Sequence, residues 1–228
     1  MLTAVLMLAD ARFPAGGHAH SGGLEPAAPL LRDAGALRAF LAGRLATAGL
    51  TAAGLAAAAC GAMPAAGEDR RPGRTTTPWP TICGTLDAEA DARTPSPAQR
   101  DTSRRQGRTL LRAGRAAWPS PYLDELARTP GGPHHPIVLG AVAAAAGCTP
   151  REAALAAAYL SVSGPASAAV RLLSLDPIAV NAELARLGPR IEETAGAAVR
   201  DDLPCPSAPG LDLLAEAHAR SEMTLFVS

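Results

Sequence analysis

The chain has 228 residues, enough for one domain with a sizeable hydrophobic core. Its 21 basic and 21 acidic residues cancel, which argues against a broad nucleic-acid surface because such surfaces carry a clear basic excess. Of all residues 48% are apolar but only 3% are aromatic, and the apolar set is mostly Ala and Leu, both strong helix formers. This composition predicts a tightly packed helical bundle.

Cysteine usage and the N-terminus indicate a cytoplasmic protein. The cysteines are Cys60, Cys83, Cys148 and Cys205. They form no Cys-x-x-Cys pair, which disfavours a zinc finger or a redox-active pair. The first residues lack the basic region of a signal peptide, and Asp10 interrupts the apolar run. Residues 47–63 are apolar but mostly Ala and Gly, too weak a run for a transmembrane helix, so we expect no membrane association.

The first elements are short and are interrupted by Pro and Gly. A short apolar helix over residues 2–8 precedes a loop at residues 14–25. Ser21 is a good N-cap for a second short helix, and Pro29 should end or distort that helix. Apolar residues then recur at helical spacing over residues 34–59, where two glycines predict a bend.

Residues 64–84 differ from their surroundings, since Pro, Gly, Thr and charged residues leave no periodic apolar face. We expect a flexible insertion here, with weak docking of Trp79 and Ile82 on the body as the alternative. The helical pattern resumes near Leu86 and strengthens after Pro97, continuing to about Trp118.

The second half carries the clearest helix signals. A helix is predicted over residues 136–146, and Thr149, Pro150 and Glu152 form a capping box for the next one. Gly164-Pro165 should kink or break that helix, whereas Asp176-Pro177 should start another. No segment alternates like a β-strand. The prediction is therefore an all-α, single-domain helical bundle over residues 1–228, with the insertion at 64–84 and a C-terminal tail at 203–228.

The segment PAGGHAHSGGLE, residues 14–25, has the densest set of functional side chains, and three interpretations compete. His18 and His20, completed by His134 and His135, could bind a metal ion. A phosphate-binding loop is disfavoured because the segment has no Lys and no preceding strand. The third interpretation is a structural loop whose glycines permit close packing and whose polar residues contact a partner.

Other arrangements give weaker signals. A serine hydrolase is disfavoured because Gly-x-Ser-x-Gly is absent and Ser21 lies directly beside His20, where the two side chains diverge. Five arginines recur every three or four residues: Arg100, Arg104, Arg108, Arg112 and Arg115. They share one side of a helix, which is either a solvated face or a basic stripe for an acidic protein partner. Arg171, in an apolar helix, is expected in an ion pair or an interface.

The loop resembles the N-terminal signature of the UreF family of urease accessory proteins. The matching residues are Pro14, Gly16, Gly17, His20, Ser21, Gly23, Leu24 and Glu25. His18 stands where many members carry an aromatic residue. The resemblance continues through SRRQGRTLLR from Ser103, HHPIVLGAVAAAAG from His134 and AAVRLLSLDP from Ala168, to the final LFVS. The tail departs from the family pattern in having Thr224 where many members carry an arginine.

The resemblance implies an all-α, non-enzymatic protein that dimerises and has no catalytic residue and no cofactor. UreF proteins bind the accessory protein UreD, also called UreH, and this pair recruits the GTPase UreG to pass nickel to apo-urease. On this basis we expect the loop, the arginine stripe and the tail to supply the partner contacts. The expected contact residues are Pro14, Gly16, Gly17, His18, His20, Ser21, Gly23, Leu24, Glu25, Arg104, Arg108 and Phe226. The alternative is a direct nickel carrier that uses His18, His20, His134 and His135.

Overall fold

The computed structural model describes residues 2–10, 12–15, 20–64, 77–221 and 225–226, and in these ranges it contains helices and no β-strand. The all-α prediction is confirmed. The α-helices are α1 Leu2–Ala9, α2 Leu24–Ala27, α3 Ala34–Arg44, α4 Leu50–Ala62, α5 Trp79–Ala92, α6 Pro97–Ala117, α7 Pro121–Leu126, α8 His135–Ala145, α9 Pro150–Leu172, α10 Pro177–Arg186, α11 Gly188–Ala198 and α12 Pro209–Ala219.

The core is built on α4, α8 and α9, which pack against one another and are covered by α6 and α11. Small side chains make this packing close, because alanines fill half of the buried positions of α4 and most of those of α9. Between α8 and α4 the backbones come close at Gly140, where a Cβ atom would lie 2.2 Å from the carbonyl oxygen of Ala56. The Ala-rich composition therefore acts through short distances between helices.

The predicted start signals are confirmed in the second half of the chain. The Thr149 side chain accepts the backbone N–H of Glu152, and the Glu152 carboxylate accepts the backbone N–H of Thr149. Asp176 caps α10 by accepting two backbone N–H groups, and Leu187 separates α10 from α11. Both caps are local contacts, which explains why the sequence alone locates them.

Two predicted interruptions need correction. The flexible insertion was expected to extend to residue 84, but α5 begins at Trp79, and residues 65–76 lie outside the described ranges. Trp79 is buried, and its indole N–H donates to the carbonyl oxygen of Tyr122, so tertiary contacts extend the helix. The sequence predicts a kink or a break at Gly164-Pro165, and the break is wrong, because α9 continues through Pro165 to Leu172.

A π-helical turn lies in the first long helix, at the first of the two glycines where the sequence predicts a bend. This turn, Leu45–Gly49, joins α3 to α4 without a break. At Gly49 a Cβ atom would lie 2.6 Å from the hydroxyl oxygen of Ser161. The extra residue of a π turn shifts the side chains that follow, which fits the close packing of this segment on α9.

Two helices are long and apolar enough to cross a membrane by length and composition, Ala34–Ala62 and Pro150–Leu172. About half of each helix's most apolar window is buried, 50% and 56% respectively. In both helices this buried part packs against other helices of the body. Their apolar character is therefore explained by their position in the core.

Candidate protein-interaction site

The glycine-rich loop at residues 14–25 is fixed at both ends. At its start, the Phe13 ring lies 5.8 Å from the ring of Trp118, just after α6. Pro14 follows and is exposed, whereas Gly16, Gly17 and His18 lie outside the described residues. At its end the chain enters α2, whose Leu24 is fully buried. The residues on either side of the loop, Phe13 and Leu24, therefore pack against the helical body.

Ser21 and the two glycines after it shape the entry into α2. Ser21 is fully buried, and its hydroxyl oxygen accepts the backbone N–H of Glu25 at 3.2 Å. The formal N-cap is Gly23, so the predicted capping role of Ser21 is displaced by two residues although its hydroxyl still satisfies a backbone donor. Gly22 and Gly23 have φ angles of 59° and 85°, a region that favours glycine.

Behind the loop lies Arg44, at the end of α3. Its Nε donates to the carbonyl oxygen of Ser161 at 2.9 Å. In an α-helix this carbonyl would accept the N–H of residue 165, but Pro165 has none, so Arg44 supplies the missing donor. This contact offsets part of the cost of continuing α9 through Pro165. Burial lowers the pKa of Arg44 to about 10.

Gly22 packs directly on this arrangement. A Cβ atom at Gly22 would lie 2.8 Å from Cγ of Pro165 and 3.2 Å from Cζ of Arg44. Any larger residue would displace the loop from the helix surface. The glycine of the loop, the proline of α9 and the arginine of α3 thus form one contact.

Glu25 connects the loop to the other end of the chain. Its two carboxylate oxygens accept the backbone N–H groups of Leu225 at 2.7 Å and Phe226 at 2.9 Å. His218 of α12 lies beside this contact, with Nε2 3.6 Å from the Glu25 carboxylate and 3.2 Å from the carbonyl oxygen of Phe226. We call Glu25, His218, Leu225 and Phe226 the tail clamp.

In the tail clamp the ring of Phe226 is buried, whereas the side chain of Leu225 is exposed to solvent. Phe226 is only 5% exposed, and the guanidinium carbon of Arg171 lies 4.3 Å from the centroid of its ring. Arg171 therefore makes a cation–π contact with the tail. Leu225 is 80% exposed. Of the predicted contact residues, Ser21, Gly23, Leu24, Glu25 and Phe226 are thus brought together here.

The predicted arginine stripe on α6 divides into internal and external parts. Arg104 is only 17% exposed and pairs with Asp87 and Asp91 of α5, each at 2.8 Å. Arg100 donates to the carbonyl oxygens of Thr94 and Pro95. Arg115 pairs with Asp124, and Arg108 donates to the carbonyl oxygen of Gly131 while remaining exposed.

His134 lies in the same network as Arg104. It is 1% exposed, its Nδ1 lies 3.0 Å from the Ser103 hydroxyl and its Nε2 lies 2.8 Å from Asp91. Burial lowers the pKa of His134 against the opposing effect of the Asp91 hydrogen bond. Although burial acts to raise it, the pKa of Asp91 is held below its ordinary value by His134 and Arg104.

Asp87, Asp91 and His134 are the group among the described residues that could hold a metal ion, with ligand atoms within 4.8 Å of one another. Each carboxylate, however, already binds the Arg104 guanidinium through one oxygen and His134 through the other. The guanidinium therefore supplies the positive charge that a metal ion would bring. We interpret this cluster as a closed polar network that joins α5, α6 and α8.

The predicted four-histidine set can be followed at three of its members, His20, His134 and His135. His18 lies outside the described residues, and both ring nitrogens of His134 are engaged by Ser103 and Asp91. Burial, and secondarily the nearby His20, lower the pKa of His135 to about 4.

Comparison with known proteins gives the family. The sequence model of the UreF family matches residues 31–188. The chain is 43% identical to urease accessory protein UreF of Mycolicibacterium vanbaalenii over 230 positions, which cover all of this chain and 99% of the relative. The chain belongs to the UreF family. Its identity to the UreF proteins of Mycobacterium sp. strain JLS and Mycobacterium tuberculosis is 42% and 39%, with the same coverage.

The extent of the matches bears on the loop and the tail. The UreF family model begins at residue 31, after the loop, and ends at residue 188, before the tail. The full-length alignments with the mycobacterial UreF proteins include both. The members of the UreF family are urease maturation factors. The family model matches the helical body, whereas all residues of the tail clamp lie outside its range.

Several residues of the site escaped the sequence analysis. Asp87 and Asp91 are four apart on one helix, a spacing that could have indicated a shared cation. Arg44 and His218 gave no such signal, because the Ser161 partner of Arg44 lies 117 positions away and His218 meets the loop only across the fold. Only the folded chain brings them into the site.

Proposed function

We propose that this protein is a non-enzymatic scaffold for nickel insertion into apo-urease, which binds UreD/UreH and recruits the GTPase UreG. In this proposal it acts in the cytoplasm as a homodimer. Family membership places it in urease maturation. The observation that carries the more specific role is the tail clamp, where residues of the N-terminal signature and of the final LFVS segment meet on one surface.

The tail clamp has the properties expected of a partner-binding surface. It holds a short segment by two charge-assisted hydrogen bonds to backbone N–H groups, an arrangement that fixes its direction. It also leaves Leu225 exposed as an apolar anchor. Direct nickel carriage by four histidines is less well supported, since His134 is committed to Ser103 and Asp91.

Co-purification with UreD and UreG in the presence of a GTP analogue tests the proposal. We expect a ternary complex by size-exclusion chromatography, weakened at least about tenfold by Glu25→Arg with the helical circular dichroism signal retained. Glu193→Arg, the same charge reversal at an exposed position of α11, serves as the control. If the native chain forms no complex under any nucleotide condition, the scaffold proposal is wrong.

A further inference from the structure

The outward face of α6 carries a concentrated positive charge. The helix contains six arginines and one aspartate, although the whole chain has no net charge. Arg100, Arg104 and Arg115 are used within the fold. Arg105 and Arg112 are both exposed, and neither makes an ion pair with any residue of the described ranges. The excess charge of α6 is therefore concentrated at these two positions and at Arg108.

These arginines form a shallow basin. An open depression with a volume of about 430 Å³ is lined by Arg105, Arg108, Thr109 and Arg112. The Thr109 hydroxyl donates to the carbonyl oxygen of Arg105, so its own donor is used within the helix. Arg108 is held in place, since its Nη1 donates to the carbonyl oxygen of Gly131 and its stem lies against Gly132. At least one guanidinium of the basin is thus positioned before any partner binds.

We propose that this basin binds an Asp/Glu-rich segment of a protein partner. Planar guanidinium groups pair with carboxylates through two parallel hydrogen bonds, which makes arginine well suited to this contact. Positions 105 and 112 are separated by roughly 10 Å along the helix axis, from the rise per residue, so the basin can pair with two or three carboxylates of a short segment. The neutral charge of the whole chain disfavours nucleic acid as the occupant.

This inference rests on the proposed scaffold function, and it identifies a second contact surface for that function. The basin lies on α6, whereas the tail clamp is formed by α2, α12 and the tail. It also changes the sequence-based expectation, since the available arginines are Arg105, Arg108 and Arg112, while Arg104 is used internally.

A labelled octaglutamate peptide is the first probe. We expect the peptide to bind the native chain at low salt. Its affinity should fall steeply as the ionic strength rises toward about 1 M, where the Debye length is about 3 Å. The R105E/R112E variant should bind at least about tenfold more weakly, because like charges would then face the peptide. The R190E/R200E variant makes the same net charge change at two exposed positions outside α6 and should bind like the native chain.

Three results would overturn the inference. One is equal peptide binding by the native chain and R105E/R112E. Another is tighter binding of a single-stranded oligonucleotide than of the peptide, with the difference lost in R105E/R112E. The third is a native ternary complex with UreD and UreG that R105E/R112E retains unchanged, which would leave the scaffold function intact. If the native chain forms no complex with UreD and UreG, the scaffold function is refuted. The peptide measurement would still test whether the basin binds carboxylates.

Discussion

The Arg44 side chain replaces a backbone donor that is missing from a helix containing proline. Pro165 leaves the partly buried Ser161 carbonyl without its helical donor, which costs up to about 1–3 kcal/mol when nothing replaces that donor. Arg44 donates to that oxygen from another helix. At the residue scale, the fold thus depends on a hydrogen bond between groups 117 positions apart.

Replacing Arg44 and Pro165 separately and together tests this account. Arg44→Met should lower the free energy of unfolding by about 1–3 kcal/mol, because the Ser161 carbonyl loses its donor. In a Pro165→Ala background the same change should cost less, since the introduced alanine can donate its own N–H in the helix. Urea denaturation of the native chain, the two single variants and the double variant gives the coupling free energy between Arg44 and Pro165. If the two effects add within about 0.3 kcal/mol, the account is contradicted.

His135 makes the stability of the fold depend on pH. Burial and the nearby His20 lower the pKa of His135 from 6.5 to about 4, so the folded state favours the neutral ring. The unfolded chain then binds more protons between these values, and stability must fall as the pH drops below 6.5. Above that pH this contribution is fully present.

The expected loss from His135 alone is about 2 kcal/mol between pH 8 and pH 5, from the size of the shift. Urea denaturation at both pH values should show it, and His135→Gln should reduce the difference because glutamine does not titrate. The lowered pKa of His134 acts in the same direction, so part of the pH dependence should remain in the variant. An unchanged pH dependence in His135→Gln would exclude this residue as a cause.

At the element scale, glycines set the distances between helices. A Cβ atom at Gly107 of α6 would lie 2.0 Å from the carbonyl oxygen of Pro133, in the segment that leads into α8. This close approach also brings Ser103 and Arg104 within reach of His134 and Gly132. The polar network between α5, α6 and α8 therefore depends on the absence of a side chain at one position.

Gly107→Ala should destabilise the protein by several kcal/mol, on the order of 3, because its methyl group would meet backbone that cannot rotate away. Gly84→Ala provides a matched control in α5, since a Cβ atom there has no neighbour within 4 Å. That control should stabilise the protein by up to about 1 kcal/mol, from helix propensity. Thermal unfolding of both variants distinguishes them, and similar melting temperatures would contradict the argument.

At the scale of the whole molecule, the tail clamp joins the two ends of the chain. Glu25 and Phe226 are 201 positions apart, yet the carboxylate accepts the Phe226 N–H directly. The contact ties the backbone of Leu225 and Phe226 to one side chain of the loop. A substitution at Glu25 should therefore weaken the hydrogen bonding of the Leu225 and Phe226 amides.

Hydrogen–deuterium exchange of a C-terminal peptide measures this dependence. In Glu25→Ala the amides of Leu225 and Phe226 should lose protection, since their acceptor is removed. Glu193→Ala, at an exposed position of α11, should leave the exchange unchanged. Equal protection in Glu25→Ala and the native chain would show that other contacts hold the tail.

The sequence by itself determined the helical class, the family and the helix starts at Thr149 and Asp176. Helix caps join residues two or three positions apart, so their chemistry is visible in a short window. The family followed from several motifs in a fixed order along the chain. These properties do not depend on where distant parts of the chain lie.

Tertiary structure alone decided the early start of α5 at Trp79, the continuity of α9 through Pro165, and the division of the arginine stripe. It also decided that Glu25 meets the tail. In each case the deciding partner is a hydrogen-bonding or charged group on another element, and periodicity along one helix does not reveal it. Periodicity shows which side chains share a face, whereas packing determines what that face contacts.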